Sequence, residues 1–531
     1  MEELVQAEVL VIGCGIAGGI AALRLADAGV PVHILTRAEK PEDSNTYHAQ
    51  GGIIYKGKGD TPELLVEDIL RAGAGVCNPN AAAILAQEGP RLIEKVLMER
   101  CGVEFDRDEA GELLLALEGG HSIPRIVHTK DATGRTIALA VLKALQEHPN
   151  VRMLPGHTAV DLLTTTHQSR NRLIRAYEPP RCIGAYALDQ ASGVVKRLLA
   201  KNTILATGGI GRLYLWTTNP AGARGDGLAM AIRAGARTAH SEFVQFHPTT
   251  LYHPKSPGFL ISEAVRGAGA RLLNDKGEAF MARHAPVWKD LAPRDVVARA
   301  IHEEMLHSDS PCAWLDLASA LPEKTILEKF PNIHAKCLEL GIDITQKPIP
   351  VVPAAHYHCG GVLADGVGMT SLQGLYAVGE VSCTGLHGAN RLASTSLLEG
   401  LVWGHKAAGK ILETKRAQSP LSEEEIPPWE ETGLYQTDAA LIAQDLSVIR
   451  HILWNYVGLV RTAPRLERAQ RELAHLETEI ERFYRKSKLT DGLIGLRNAV
   501  GAAKAIAQAA WENKHSIGCH FRADYKTPEI Q

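Results

Sequence analysis

The chain has 531 residues, too many for one hydrophobic core, so two or three domains are expected. Apolar residues make up 45% and charged residues 22%, the balance of a soluble globular protein, and a formal net charge of −3 gives no electrostatic case for nucleic acid or an acidic membrane surface. Nine cysteines are scattered without a C-x-x-C pair or a metal-like Cys/His spacing, which excludes a disulfide framework and reads as reduced thiols in the cytoplasm.

The opening MEELVQAEV has no basic region and leads straight into a strand, so no signal peptide is expected, and no apolar run is long enough to span a bilayer. Residues 8–12 form a short apolar strand. The turn Gly13-Cys14-Gly15-Ile16-Ala17-Gly18 follows, then a helix through 20–26, Gly29, and a second strand at 32–35. Strand, Gly-rich turn, helix and strand are the context in which G-x-G-x-x-G binds a dinucleotide. The glycines allow the tight turn and the approach of a pyrophosphate, and the helix N-terminus supplies amides and positive dipole. An acidic residue for a ribose hydroxyl is usual about 20 positions on. Here the second strand ends in Thr36-Arg37, which argues against NAD.

Residues 116–122 read ALEGGHS, a lone carboxylate, Glu118, before a Gly pair. A solvated loop is the ordinary reading of a single Glu, while the Gly pair would let the backbone approach a ligand. Three later stretches place glycines after strands: TILATGGIG at 203–211, RGDG at 224–227 ahead of a helical run, and GLYAVGE at 374–380. Together with the first turn they point to one extended cofactor wrapped by distant segments. Between about 238 and 350, Pro, His and charged residues increase around a helical piece at 294–307, an inserted domain. Residues 414–432 are polar and Pro-rich, a linker by composition. Beyond them Leu466, Ala469, Leu473, Leu476, Ile480 and Phe483 recur at spacings of three and four, an amphipathic helix suited to a small bundle.

GCGIAGG, AQGG, ATGG, RGDG, QFHPT, SEAVRGAG, LAPRDVVARA, HYHCGGV, GLYAVGE and GANRLASTSLLEG occur in that order. This set resembles the succinate dehydrogenase/fumarate reductase flavoprotein family, from about residue 8 to the C-terminal GCHFRADY. Within it the chain is most similar to the members that oxidise L-aspartate to iminosuccinate, the first step of de novo NAD biosynthesis via quinolinate. The resemblance implies an α/β fold: a Rossmann-like FAD-binding domain (1–237 and 350–413), an inserted α+β capping domain (238–349), the 414–432 linker and a C-terminal helical bundle (433–531). It implies an FAD that dioxygen reoxidises to hydrogen peroxide, or fumarate reoxidises with formation of succinate. It also implies a cytoplasmic enzyme without a membrane partner, functionally linked to quinolinate synthase, and a site between the flavin and cap domains.

Residue by residue, the resemblance gives Gly13, Cys14, Gly15, Ile16, Ala17 and Gly18 to the pyrophosphate turn. Arg37, Asn45, Thr46, Tyr47, His48, Ala49, Gln50, Gly51 and Gly52 would wrap the flavin, and Asp226, Glu380, Ser396 and Leu397 complete its site. Respiratory relatives attach FAD through a His five residues before the Gln of AQGG; counting back from Gln50 gives Asn45, so FAD is expected to be non-covalent. Arg391, His247 and His356 resemble the groups that bind substrate carboxylates, with neutral hydrogen bonds from Gln245 and Ser262. Arg294 resembles the family's proton-transferring arginine. Glu263 and Arg266 resemble the relay behind it, although E-x-x-R spacing is equally an ordinary helical ion pair. Ala268 stands where an acidic residue often follows this Arg-Gly. Respiratory members carry an apolar aromatic before the Gly pair, where this chain has Glu118. A buried carboxylate there would repel a dicarboxylate but pair with the α-ammonium of L-aspartate. The alternative, a fumarate reductase or succinate dehydrogenase flavoprotein subunit, predicts covalent FAD and partner subunits, and Glu118 and Asn45 argue against it.

Overall fold

The structure is a computed structural model that describes residues 4–130, 132–256, 258–414 and 426–525. Residues 415–425, most of the expected linker, lie outside the described residues. The opening strand, Leu4–Ile12, begins earlier than its apolar run. It pairs in parallel with Val32–Leu35 on one side and Val194–Leu205 on the other. Val151–Leu154 and Leu375–Ala377 extend the parallel part, and Cys182–Asp189 and His157–Thr164 add an antiparallel edge, giving a seven-stranded sheet.

Alternation along the first strand divides two cores. Val9 and Val11, with Ile34 and Ile204, pack under helices Ile16–Asp27, Pro79–Leu92, Thr133–Gln146 and Thr395–Glu413. Leu10 and Ile12, with Leu35 and Leu205, join the core of the C-terminal helices Ala439–Tyr456, Ala463–Lys486 and Asp491–Glu512. A central parallel strand buried on both faces reads as an unbroken apolar run, as VLVI does. The helical bundle therefore closes the second face of the sheet. Helix Ala463–Lys486 contributes Leu466, Ala469, Leu473 and Ile480 to that core.

The chain returns from residue 375 onward to finish the flavin domain. Its last helix, Thr395–Glu413, lies directly on the first: a Cβ at Gly404 would stand 2.3 Å from the Ala17 carbonyl oxygen. The inserted cap is built on a four-stranded antiparallel sheet of Val244–Leu251, Ile349–His358, Ala313–Asp316 and Arg271–Leu273. Helix Arg294–Ser308 packs against it through Val297, Ala300 and Ile301. The two long strands carry the chain into and out of the cap, and they carry His247 and His356. Architecture and fold class are α/β: a flavin-type domain, an α+β cap and a C-terminal bundle. Among the described residues no helix is long and apolar enough to cross a membrane.

Candidate active site

Where the first strand ends, Gly13 sits at φ 108°, and a Cβ there would stand 2.2 Å from the Ala206 carbonyl oxygen. Only glycine fits. Gly15 opens helix Ile16–Asp27, whose first N–H donates to Thr46 Oγ1 at 3.0 Å and so ties the turn to segment 45–52. Gly13 through Ala17 line one continuous cleft with Arg37, Asn45, Thr46, His48, Ala49, Gln50, Gly51, Gly52, Asp226, Glu380, Ser396 and Leu397. Two expected contacts fall outside it. Gly18 faces inward, since its Cβ would be 2.1 Å from Gly13 O, and it lets the helix sit on the turn. Tyr47 lies under the Arg135 guanidinium at 5.6 Å.

In the same cleft Gln50 Oε1 and Thr207 Oγ1 are buried without a hydrogen-bond partner among the described residues. Buried polar atoms need partners. A polar cofactor along the turn supplies them, so the residues present fit FAD. Asn45 Nδ2 donates to Glu380 Oε2 at 2.8 Å, and the His358 N–H donates to Glu380 Oε1 at 3.0 Å. Burial pushes the Glu380 carboxyl up to about 7. A carboxamide nitrogen, its lone pair delocalised into the carbonyl, is no nucleophile, so Asn45 offers a flavin no covalent attachment. Asp226 starts helix Asp226–Arg233 and is tied by Arg224 Nη2 at 3.0 Å and Asn498 Nδ2 at 2.8 Å.

The cleft continues between the domains, lined by Glu118, His247, Ser262, Glu263, Arg294, His356 and Arg391. A β-bulge places His356: Gln245 pairs with Tyr357 and Phe246 with Ala355, leaving His356 as the extra residue. Bulges re-aim side chains in this way. Thr218 Oγ1 holds His356 Nδ1 at 2.8 Å. His247 Nδ1 accepts from the Thr249 N–H at 3.2 Å, so Nε2 carries the proton. Burial pushes both imidazoles well below the usual histidine range, and the nearby arginine charges add to it. Both are therefore neutral donors at neutral pH. Ser262 caps the short helix Glu263–Gly267 through its oxygen, leaving its hydroxyl proton free.

Glu263 Oε2 accepts from Arg294 Nε at 2.8 Å and lies 3.8 Å from Arg266 Nη2. Burial opposes its ionisation, but the two guanidiniums dominate and hold the carboxyl at about 2. Arg266 is fully buried behind Glu263, outside the cleft lining, with Nη1 donating to the Asp290 carbonyl at 2.6 Å. Gln245 is also displaced from its expected place. Its buried amide donates to Asn390 Oδ1 at 2.7 Å and to the Arg391 carbonyl at 2.9 Å, and accepts from Arg294 Nη1 at 3.4 Å. It braces the two arginines instead of lining the cleft.

Glu118 Oε2 accepts from Ser394 Oγ at 2.6 Å. Enclosure raises its pKa, Glu263 adds to that, and Ser394, Arg294 and Arg391 oppose it. The glycine after it serves the protein first: a Cβ at Gly119 would be 2.0 Å from Glu263 Oε1. Sequence reasoning missed Ser394, Thr218 and Thr207. Ser394 lies in GANRLASTS, but nothing in that string announces its left-handed φ of 55°. The arrangement offers two arginines and two neutral imidazoles to a dicarboxylate, and one enclosed carboxylate to a cation.

The sequence matches the FAD binding domain family over residues 8–397 and the fumarate reductase flavoprotein C-terminal family over residues 447–529. It is 46% identical to L-aspartate oxidase 1 of Ralstonia nicotianae over 98% of this chain and 95% of that protein. It is 43% identical to the L-aspartate oxidase of Pseudomonas aeruginosa over 99% of this chain and 96% of that protein. Among solved structures it is similar to a variant of the FrdA chain of E. coli quinol fumarate reductase, with a TM-score of 0.88 and 26% identity over 100% of this chain and 93% of that one. Matched at this identity along nearly its whole length, the chain belongs to the L-aspartate oxidase branch of the succinate dehydrogenase/fumarate reductase flavoprotein family.

Proposed function

We propose that this chain catalyses the FAD-dependent oxidation of L-aspartate to iminosuccinate, with fumarate (giving succinate) or dioxygen (giving hydrogen peroxide) as acceptor, the first step of de novo NAD biosynthesis via quinolinate. The observation that carries this over the respiratory alternative is Glu118, enclosed in a cleft otherwise suited to a dicarboxylate. When bound along the Gly13–Ala17 turn, FAD supplies the two-electron acceptor. Arg391, His247 and His356 hold the substrate carboxylates, with Ser262 adding a neutral hydrogen bond. Glu118 receives the α-ammonium and sets which carbon faces the flavin. Arg294 delivers the proton when fumarate is reduced, with Glu263 and Arg266 behind it; in aspartate oxidation its part is electrostatic. The flavin domain binds the cofactor, the cap, whose sheet includes Ile349–His358, covers the substrate, and 433–531 support the flavin-domain sheet from behind. The same reading puts the protein in the cytoplasm without a membrane partner, its product passing to quinolinate synthase.

Anaerobic mixing with L-aspartate or succinate tests it. L-Aspartate is expected to bleach the flavin and succinate to leave it oxidised. Bleaching by succinate alone moves the chain to the respiratory branch. Acid precipitation of the same sample is expected to leave the yellow colour in the supernatant; colour in the pellet contradicts non-covalent binding.

A further inference from the structure

Arg391 carries its charge deep in the protein without a counterion beside it. It is buried, and among the described residues no carboxylate lies within 4.0 Å of its guanidinium. Its Nε has no hydrogen-bond partner, and its Nη1 reaches only the Leu392 carbonyl at 3.4 Å. A bare buried guanidinium is costly. What lies against it is a ring: Arg391 Cζ stands 4.6 Å from the centroid of Tyr357.

Tyr357 is itself fixed from behind. Its hydroxyl donates to Glu399 Oε2, a carboxyl only 1% exposed on helix Thr395–Glu413. His387 stands edge-on to the ring, centroids 5.1 Å apart, with Nε2 3.1 Å from the same Glu399 oxygen. Tyr357 lines the cleft beside Arg391, whereas Glu399 and His387 stand behind it, outside the lining. From the helix toward Arg391 the order is carboxyl, phenol, guanidinium.

We propose that Tyr357, held by Glu399 and His387, is a positioning residue that carries the charge of Arg391 on its ring face and so keeps the guanidinium N–H edge free for a substrate carboxylate. The proposal rests on the assignment of Arg391 to that carboxylate. A carboxylate placed directly against Arg391 would also stabilise it, but by occupying the bidentate edge that a substrate needs. A ring engages only the flat face. Setting Glu399 one residue back, through the phenol, supplies negative potential without competing for the edge. The hydrogen bond from the hydroxyl to Glu399 moves electron density toward the ring, which strengthens the same face.

The test uses the FAD-loaded protein. Succinate binding is read from the flavin absorption spectrum, and KM and kcat are measured for L-aspartate. Tyr357→Leu removes the ring face and is expected to raise the succinate Kd and the aspartate KM about thirtyfold, the weight of a desolvated cation–π contact. The kcat should move by less than about threefold, because contact with the remote carboxylate is made alike in ground and transition states. Tyr357→Phe keeps the ring and loses the hydroxyl, and Glu399→Gln keeps the hydroxyl and loses the charge; each is expected to raise both constants only a few-fold. Should Tyr357→Leu lose its flavin, Tyr357→Met fills the space and is read in its place. Unchanged Kd and KM without the ring overturn the proposal, as does an equal fall of kcat in all the variants, which marks a packing role. Arg391→Leu separates the two ideas. If it leaves succinate binding unchanged, the carboxylate assignment fails first; if it abolishes binding while Tyr357→Leu does not weaken it, only the proposal fails.

Discussion

Ser394 Oγ donates to Glu118 Oε2 at 2.6 Å, and it is the one hydrogen-bond partner of that carboxylate among the described residues. Ser394 immediately precedes helix Thr395–Glu413 but does not cap it with its side chain; its hydroxyl turns to Glu118 instead. One neutral hydrogen bond does not offset the enclosure of a charge. The carboxylate is thus set up to gain from a cation that arrives with the substrate. Replacing it with Ala should cost L-aspartate turnover about 2–5 kcal/mol in kcat/KM, the range for one member of a desolvated charge pair. Fumarate reduction, driven by a chemical reductant, should change only a few-fold because fumarate has no amine. Steady-state kinetics of Glu118→Ala on both substrates decides this, and near-normal aspartate turnover would reject the role.

The same enclosure sets a pH dependence. Burial raises the Glu118 carboxyl above its usual 4.5, so the free enzyme is protonated there at a pH where an exposed Glu is ionised. Only the ionised form pairs with an ammonium. As pH falls through that raised value, kcat/KM for L-aspartate should fall by tenfold per unit. Burial shifts His247 and His356 well below 6.5, and the Glu118→Gln variant separates their effect from that of Glu118. Glu118→Gln should abolish the limb for aspartate. A limb that persists in that variant belongs to another group.

Much of this site can be read from the chain alone because its parts are short and local. The strand–turn–helix at 8–26 announces itself by an apolar run, two glycines and a helical period. The motifs around His247, His356, Arg294 and Arg391 each keep their chemistry within a few residues. What the chain conceals is direction. The extra residue at His356 exists only in the pairing of two strands more than a hundred residues apart. Gln245 looks like a ligand from its motif, yet its amide is satisfied by Asn390 and Arg391 and turns away from the cleft. The bundle at the C-terminus reads as a separate unit by its helical period, whereas its apolar faces complete the core that Leu10 and Ile12 begin. Burial shared by distant segments leaves no local trace.

The Gly pair of ALEGGHS supports one more prediction, since its first glycine is pressed against the relay carboxylate. A Cβ at Gly119 would stand 2.0 Å from Glu263 Oε1, and that carboxylate cannot retreat freely while Arg294 Nε holds its other oxygen at 2.8 Å. Gly119→Ala should push Glu263 off Arg294 and slow fumarate reduction by about a hundredfold, the low end of what a misplaced proton donor costs. It should also change the acid stability. Glu263 titrates at about 2 in the folded chain against 4.5 when unfolded. A depressed carboxyl contributes stability that is present above 4.5 and is lost as pH falls toward 2. The full contribution is on the order of 3 kcal/mol. The variant gives up part of it, so its melting temperature should lie below that of the wild type at pH 7, with the gap narrowing as pH drops below 4.5. Melting curves across that range, beside the fumarate kcat, carry the test. A gap that stays constant with pH would mean that the added methyl strains something other than the Glu263–Arg294 pair.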